Sequence, residues 1–110
     1  MKALHERHCE PSAGVARLVG AAVAIQLERL DGWTLAQDAI EKSFRFDNYH
    51  QTMAFVNALA WISHTEDHHP DLAVSYGRCT VRYNTHTVQG LSINDFICAS
   101  KVDALVAAGR

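Results

Sequence analysis

The chain has 110 residues, 48% of them apolar, and its 12 acidic and 10 basic side chains leave a formal net charge of −2. One small domain is expected. A domain of this size buries only about 60–70% of the surface its unfolded chain exposes, so oligomerisation is an expected source of stability. Lys42, Arg45, Arg78 and Arg82 are scattered, which excludes the clustered basic footprint of a nucleic-acid binder, and the longest apolar stretch, 18–27, is far below the ~20 residues of a membrane span.

Residues 1–13 are polar and read as a flexible leader, leaving 14–110 as the domain. The start is charged and lacks the apolar run of a secretory signal. Cys9, Cys79 and Cys98 form neither a disulfide framework nor a paired zinc motif; a reducing, cytoplasmic setting is the expectation. Val15 to Arg29 carries apolar residues at helical steps, and Asp31-Gly32 stops that helix. Trp33 to Ala36 is extended. In Ala39 to Phe46, Ile40, Phe44 and Phe46 alternate with Glu41, Ser43 and Arg45, the pattern of a strand with one buried face.

Asp47 or Asn48 can cap the next helix. Its stripe is Tyr49, Met53, Val56, Ala60 and Ser63, with Phe55, Leu59 and Ile62 beside it. Pro70 forces that helix to end near Asp67 to His69. Leu72, Val74 and Tyr76 then alternate, as do Cys79, Val81 and Tyr83, with Gly77-Arg78 read as the two-residue loop of a hairpin. Ser92 and Asp95 resemble a capping box for a last helix, which Gly109 ends. The order α-β-β-α-β-β-α predicts an α+β fold: a four-stranded antiparallel sheet with three helices packed on one face.

Seven histidines are a high count for this length. His64, His68 and His69 lie at the end of the central helix, and His86 follows the last strand. Continuing the hairpin register from a Gly77-Arg78 turn sets His69 opposite His86, so local geometry brings two distant histidines together. Three readings stay open. The histidines are incidental surface residues; or His64 and His68, an i, i+4 pair, bind a metal with His86; or they are acid/base groups, for which imidazole is suited near neutral pH. There is no P-loop, nucleophile elbow or dinucleotide glycine pattern. Cys79 reads as a buried thiol.

The run His64-Thr65-Glu66-Asp67-His68-His69-Pro70, followed by Tyr76, His86 and Asp95, resembles the signature of the pterin-4a-carbinolamine dehydratase family. Supporting matches are Gly32-Trp33, Phe44-Arg45-Phe46, Ala54-Phe55-Val56, Val74-Ser75-Tyr76, Thr85-His86 and Gly90-Leu91-Ser92. The resemblance covers roughly residues 20–107. It implies a homodimer or homotetramer that dehydrates a 4a-hydroxytetrahydropterin to quinonoid dihydropterin without cofactor or metal, recycling pterin for an aromatic amino acid hydroxylase such as phenylalanine hydroxylase. His68, His69 and His86 are then the catalytic set, with His68 and His86 sharing the acid and base roles and His69 orienting the pterin.

Asp95 is either a helix cap or the group that orients a histidine. Trp61, His64 and Pro70 are supporting candidates; Tyr76 reads as core. His64 stands where the family is often acidic, and Gln89 where many members have glycine. A second reading, a dimerisation or coactivator-type binding module of the same fold, also follows from the resemblance, as does a relative acting on another pterin.

Overall fold

In the computed structural model, which describes residues 2–109, the regular elements are α1 (Ala21–Glu28), β1 (Thr34–Ala36), β2 (Ala39–Arg45), α2 (Tyr49–Glu66), β3 (Asp71–Ser75), β4 (Arg78–Tyr83) and α3 (Ile93–Gly109). The strands form one antiparallel sheet in the order β1-β2-β4-β3. The expected α+β architecture is therefore present.

Alternation divides the sheet as the sequence pattern requires. Ile40 pairs with Tyr83 and Phe44 with Cys79, and these side chains, with Val81, are buried beneath the helices. The opposite face carries Glu41, Ser43, Thr80 and Arg82, tied by a 2.7 Å Ser43–Thr80 hydroxyl bond and an Arg82–Glu41 ion pair. Phe96, Ile97, Cys98, Ala99 and Val102 of α3 are all fully buried against the inner face. Trp33 is fixed at one end by an Nε1–H bond to Asp103 at 2.9 Å, while Lys42 pairs with the other carboxylate oxygen.

Several local expectations need correction. The first helix begins at Ala21, not Val15, because Gly20 sits at φ +54 and breaks the helical path; Leu18 is extended and pairs with Leu91. The buried stripe of α2 is Thr52, Phe55, Leu59 and Ser63, whereas Tyr49 is exposed. Tyr76, read as core, is 67% exposed.

The hairpin turns at Tyr76-Gly77, with Ser75 opposite Arg78 and Val74 opposite Cys79. Neither turn residue has a positive φ, so no primed turn forms. Gly77 is required for another reason: its carbonyl accepts from Phe46 N–H at 2.8 Å, and a Cβ there would meet the Phe46 carbonyl oxygen at 2.9 Å.

The segment expected to be a flexible leader is seated on the domain. Leu4 is buried. Glu10 exchanges two 2.8 Å bonds with the Asn94 side chain, its N–H donating to Oδ1 and its carbonyl accepting from Nδ2. Cys9 N–H donates to Glu66 at 2.7 Å, and the His8 ring lies 2.8 Å from the other oxygen of that carboxylate.

Candidate active site

The end of α2 decides where the first histidine goes. Asp67 adopts the left-handed conformation, φ 51 and ψ 45. Its N–H returns to the His64 carbonyl, and the His68 N–H to that of Ser63, the paired bonds of a Schellman ending. The chain reverses there, and Pro70 prevents the helix from resuming. His68 thereby turns inward, with only 7% of its surface exposed, while His69 stays exposed. Because His68 lies beyond the helix, it shares no helical face with His64. The His64 ring instead lies 5.7 Å from that of Trp61, which is 69% exposed.

His68 meets two groups. Its ring lies nearly parallel to Tyr83, 5.7 Å between centroids and 7° between planes. Its Nε2 is 2.6 Å from Oδ1 of Asp95, a carboxylate with no solvent exposure. Asp95 is held by the start of α3. Ser92 is the cap: its hydroxyl accepts from Asn94 N–H at 3.2 Å, and Asp95 Oδ2 reaches back to Ser92 N–H at 2.9 Å, a reciprocal capping box with Asp in the usual Glu position.

Thr85 Oγ lies 2.8 Å from the same Oδ2 and 2.7 Å from Ser92 Oγ. The hydrogens run in one direction: Ser92 hydroxyl to Thr85, Thr85 hydroxyl to Asp95. The carboxylate thus accepts from Ser92 N–H and the Thr85 hydroxyl on one oxygen, and its other oxygen faces His68 Nε2. Asp95 makes both contacts considered for it, one to the start of α3 and one to a histidine.

His86 begins a single 3₁₀ turn, His86–Val88, directly after Thr85 and is exposed. The turn ends at Gln89, which occupies the left-handed region at φ 52 and ψ 45; this explains the preference for glycine expected there. Thr85 and Gly90 pair across it, bringing the chain back to Ser92 and Asp95.

The observed register corrects the predicted pairing. Extended past β3, it sets His68 opposite Thr85 and His69 opposite Asn84, not His69 opposite His86. His68 and the residue preceding His86 consequently share one carboxylate. Pro70 is half-buried. Thr85, Ser92 and Tyr83 belong to the site, although the sequence reading gave none of them a role there. The Ser92–Asp95 spacing was visible as a cap, and Thr85 only as the neighbour of His86.

A cavity of about 630 Å³ beside Arg45, Phe46, Gln51, Phe55, Leu105 and Val106 contains no histidine and is separate from this cluster. Among the described residues, no three His, Cys, Asp or Glu side chains converge as a metal site, and no helix is long and apolar enough to cross a membrane.

Residues 16–105 match the family model described as pterin 4 alpha carbinolamine dehydratase. Among curated relatives, a protein of Nitrosospira multiformis is 53% identical over 93% of this chain and 91% of its own length. One of Xanthomonas campestris is 54% identical over 96% and 92%. Both are named "Putative pterin-4-alpha-carbinolamine dehydratase". A solved structure of a transcriptional coactivator/pterin dehydratase from Brucella melitensis superposes with a TM-score of 0.79 at 30% identity, covering 82% of this chain and 98% of that one. A pterin dehydratase-like protein identified as a RuBisCO assembly factor in the alpha-carboxysome gives 0.59 at 28% identity, over 68% and 89%. The sequence resemblance, the fold and these matches agree: the chain belongs to the pterin 4 alpha carbinolamine dehydratase family.

Proposed function

We propose that this protein is a hydro-lyase that removes water from a 4a-hydroxytetrahydropterin to give quinonoid dihydropterin, with His68, His69 and His86 as its catalytic set. The observation that carries this reading is the bond from His68 to the fully buried Asp95, whose other oxygen is held by Thr85 next to His86. The substrate bears a hydroxyl on C4a beside N5–H. One group must take the N5 proton while another protonates the departing hydroxyl, and each assist is worth roughly 10²–10⁴-fold.

Asp95 accepts from Nε2–H of His68, which leaves the Nδ1 lone pair to take the N5 proton. The imidazolium formed then stands against a carboxylate, the division of labour found wherever an acidic residue orients a catalytic histidine. His86 protonates the hydroxyl, which leaves as water. His69 orients the pterin, with Pro70 holding its backbone. Exposed Trp61 and His64 are supporting residues at the rim. The chemistry needs no cofactor.

The physiological setting we assign is cytoplasmic pterin recycling for an aromatic amino acid hydroxylase, with phenylalanine hydroxylase as the functional partner. A homodimer or homotetramer is the expected assembly. It is supported by edge strand β3, all five of whose residues are exposed, Leu72 and Val74 among them. The domain proper is assigned to residues 14–110.

Purified, metal-free protein should speed the loss of 4a-carbinolamine absorbance over the spontaneous rate. His68→Ala and His86→Ala should each remove most of that acceleration, and His69→Ala should chiefly raise KM. Acceleration untouched by the first two would overturn the assignment. A protein that captures a macromolecular partner equally well with both substitutions, and never accelerates dehydration, would instead be the binding module implied by the family's coactivator-type member.

A further inference from the structure

The seated amino-terminal strap brings together two thiols that the proposed dehydration does not use. Cys9 Sγ lies 3.4 Å from Cys98 Sγ and 3.7 Å from the Asn94 carbonyl oxygen. Cys9 is half-buried on the strap; Cys98 is fully buried in α3. The strap is fastened on both sides of Cys9: its own N–H bonds Glu66, and Glu10 exchanges two bonds with Asn94. These bonds hold the sulfurs in contact without a covalent link. A disulfide needs about 2.05 Å between sulfurs, and the closing movement falls to the short strap rather than to a packed helix.

We infer that Cys9 and Cys98 are a reversible dithiol–disulfide pair whose closure fastens the amino-terminal strap to α3. The co-reactant is a small disulfide of the glutathione class. Half-exposed Cys9 attacks as thiolate, forms a mixed disulfide and expels one glutathione thiolate. Cys98 then attacks the Cys9 sulfur and expels the second. The protein loses two protons and two electrons, and the small disulfide leaves as two thiols.

The Cys98 thiol is pushed above its ordinary range, first by the Cys9 thiol against it and then by burial. Cys79 lies apart, fully buried in β4, with burial alone raising its thiol. Asn94, which anchors the strap, precedes Asp95, so the clamp sits directly beside the candidate active site.

The test uses the full chain with oxidised glutathione. The expected product is monomeric and lighter by two hydrogens; it yields a Cys9–Cys98 cross-linked peptide with Cys79 free, and its higher thermal midpoint returns to the reduced value with dithiothreitol. Cys79→Ala should close as the wild type does. Cys98→Ala should stop at a glutathione adduct on Cys9. Cys9→Ser, altered only on the strap and so safe for folding, should keep the reduced midpoint and never close. A wild-type protein that stops at a Cys9 adduct, links Cys9 between two chains, or does not react would overturn the inference.

Discussion

Replacing Asp95 by Asn tests the proposed chemistry most directly, because it changes one atom in a position with fixed neighbours. Two donors, Ser92 N–H and the Thr85 hydroxyl, converge on Oδ2, so the amide oxygen must occupy that place. The amide nitrogen then faces His68 Nε2, where Oδ1 stood at 2.6 Å. Donor cannot meet donor. His68 must present a lone pair at Nε2 and carry its proton on Nδ1, the tautomer that cannot accept from N5. The lost assist predicts a fall in kcat of roughly 10²–10⁴-fold with KM little changed. Stability should fall by only about 1.5–3 kcal/mol, the worth of one hydrogen bond to a charged group.

Asp95→Ala is the poorer experiment. It leaves three buried donors unmet at about 1–3 kcal/mol each, a large share of the 5–15 kcal/mol that typically holds a domain together. Carbinolamine absorbance decay gives the rate, and ¹⁵N shifts of the His68 ring report its tautomer. An Asn variant with the Nδ1–H tautomer and activity within twofold of the wild type would refute the role given to Nδ1.

Other outcomes follow from separate features. Tyr83→Phe removes a buried hydroxyl with no well-formed hydrogen bond among the described residues while keeping the ring parallel to His68; the thermal midpoint should change little, with activity retained. Gln89→Gly relieves a left-handed residue and should stabilise the fold by about 1 kcal/mol, read from denaturant midpoints. Burial works to raise the Glu66 carboxyl, but the Cys9 N–H, the His8 ring and the Lys101 ammonium outweigh it and hold the group below its ordinary value. Its stabilisation is therefore present above about pH 4.5 and lost as pH falls through the lower folded value; Glu66→Gln should flatten that acid limb in urea titrations from pH 3 to 7.

The fold was legible because most of it rests on local patterns. Period-two alternation in 39–46 and 78–83 separates the faces of the sheet, and Asn48 caps α2 through a 2.8 Å bond from Gln51 N–H. The hairpin shows where such reading ends. Gly77-Arg78 has the composition of a primed turn, but glycine is needed at 77 because the Phe46 backbone passes close by, a tertiary fact with no local signature. The resulting error was a slip of two residues, which leaves every side chain on its proper face. The inner faces of β2 and β4 were therefore read correctly, while the burial expected of Leu72, Val74 and Tyr76 and the partner of His69 were not. The seating of the strap was equally invisible: it depends on Asn94 and Glu66, each more than fifty residues away from it in sequence.

The site has the same mixed character. His68, His86 and Asp95 stand out as residue types, but their geometry comes from two helix ends. A left-handed Asp67 turns His68 inward, and the Ser92 cap aims the Asp95 carboxylate. Capping alone would not account for the arrangement. A surface cap can be satisfied by water, whereas Asp95 is fully buried and its second oxygen is given to a histidine from another element. Folding α3 and positioning His68 are thus one event. Substitutions at Ser92 or Thr85, neither of which needs to touch substrate, should lower kcat along with stability, because each helps hold the carboxylate that sets the tautomer of His68.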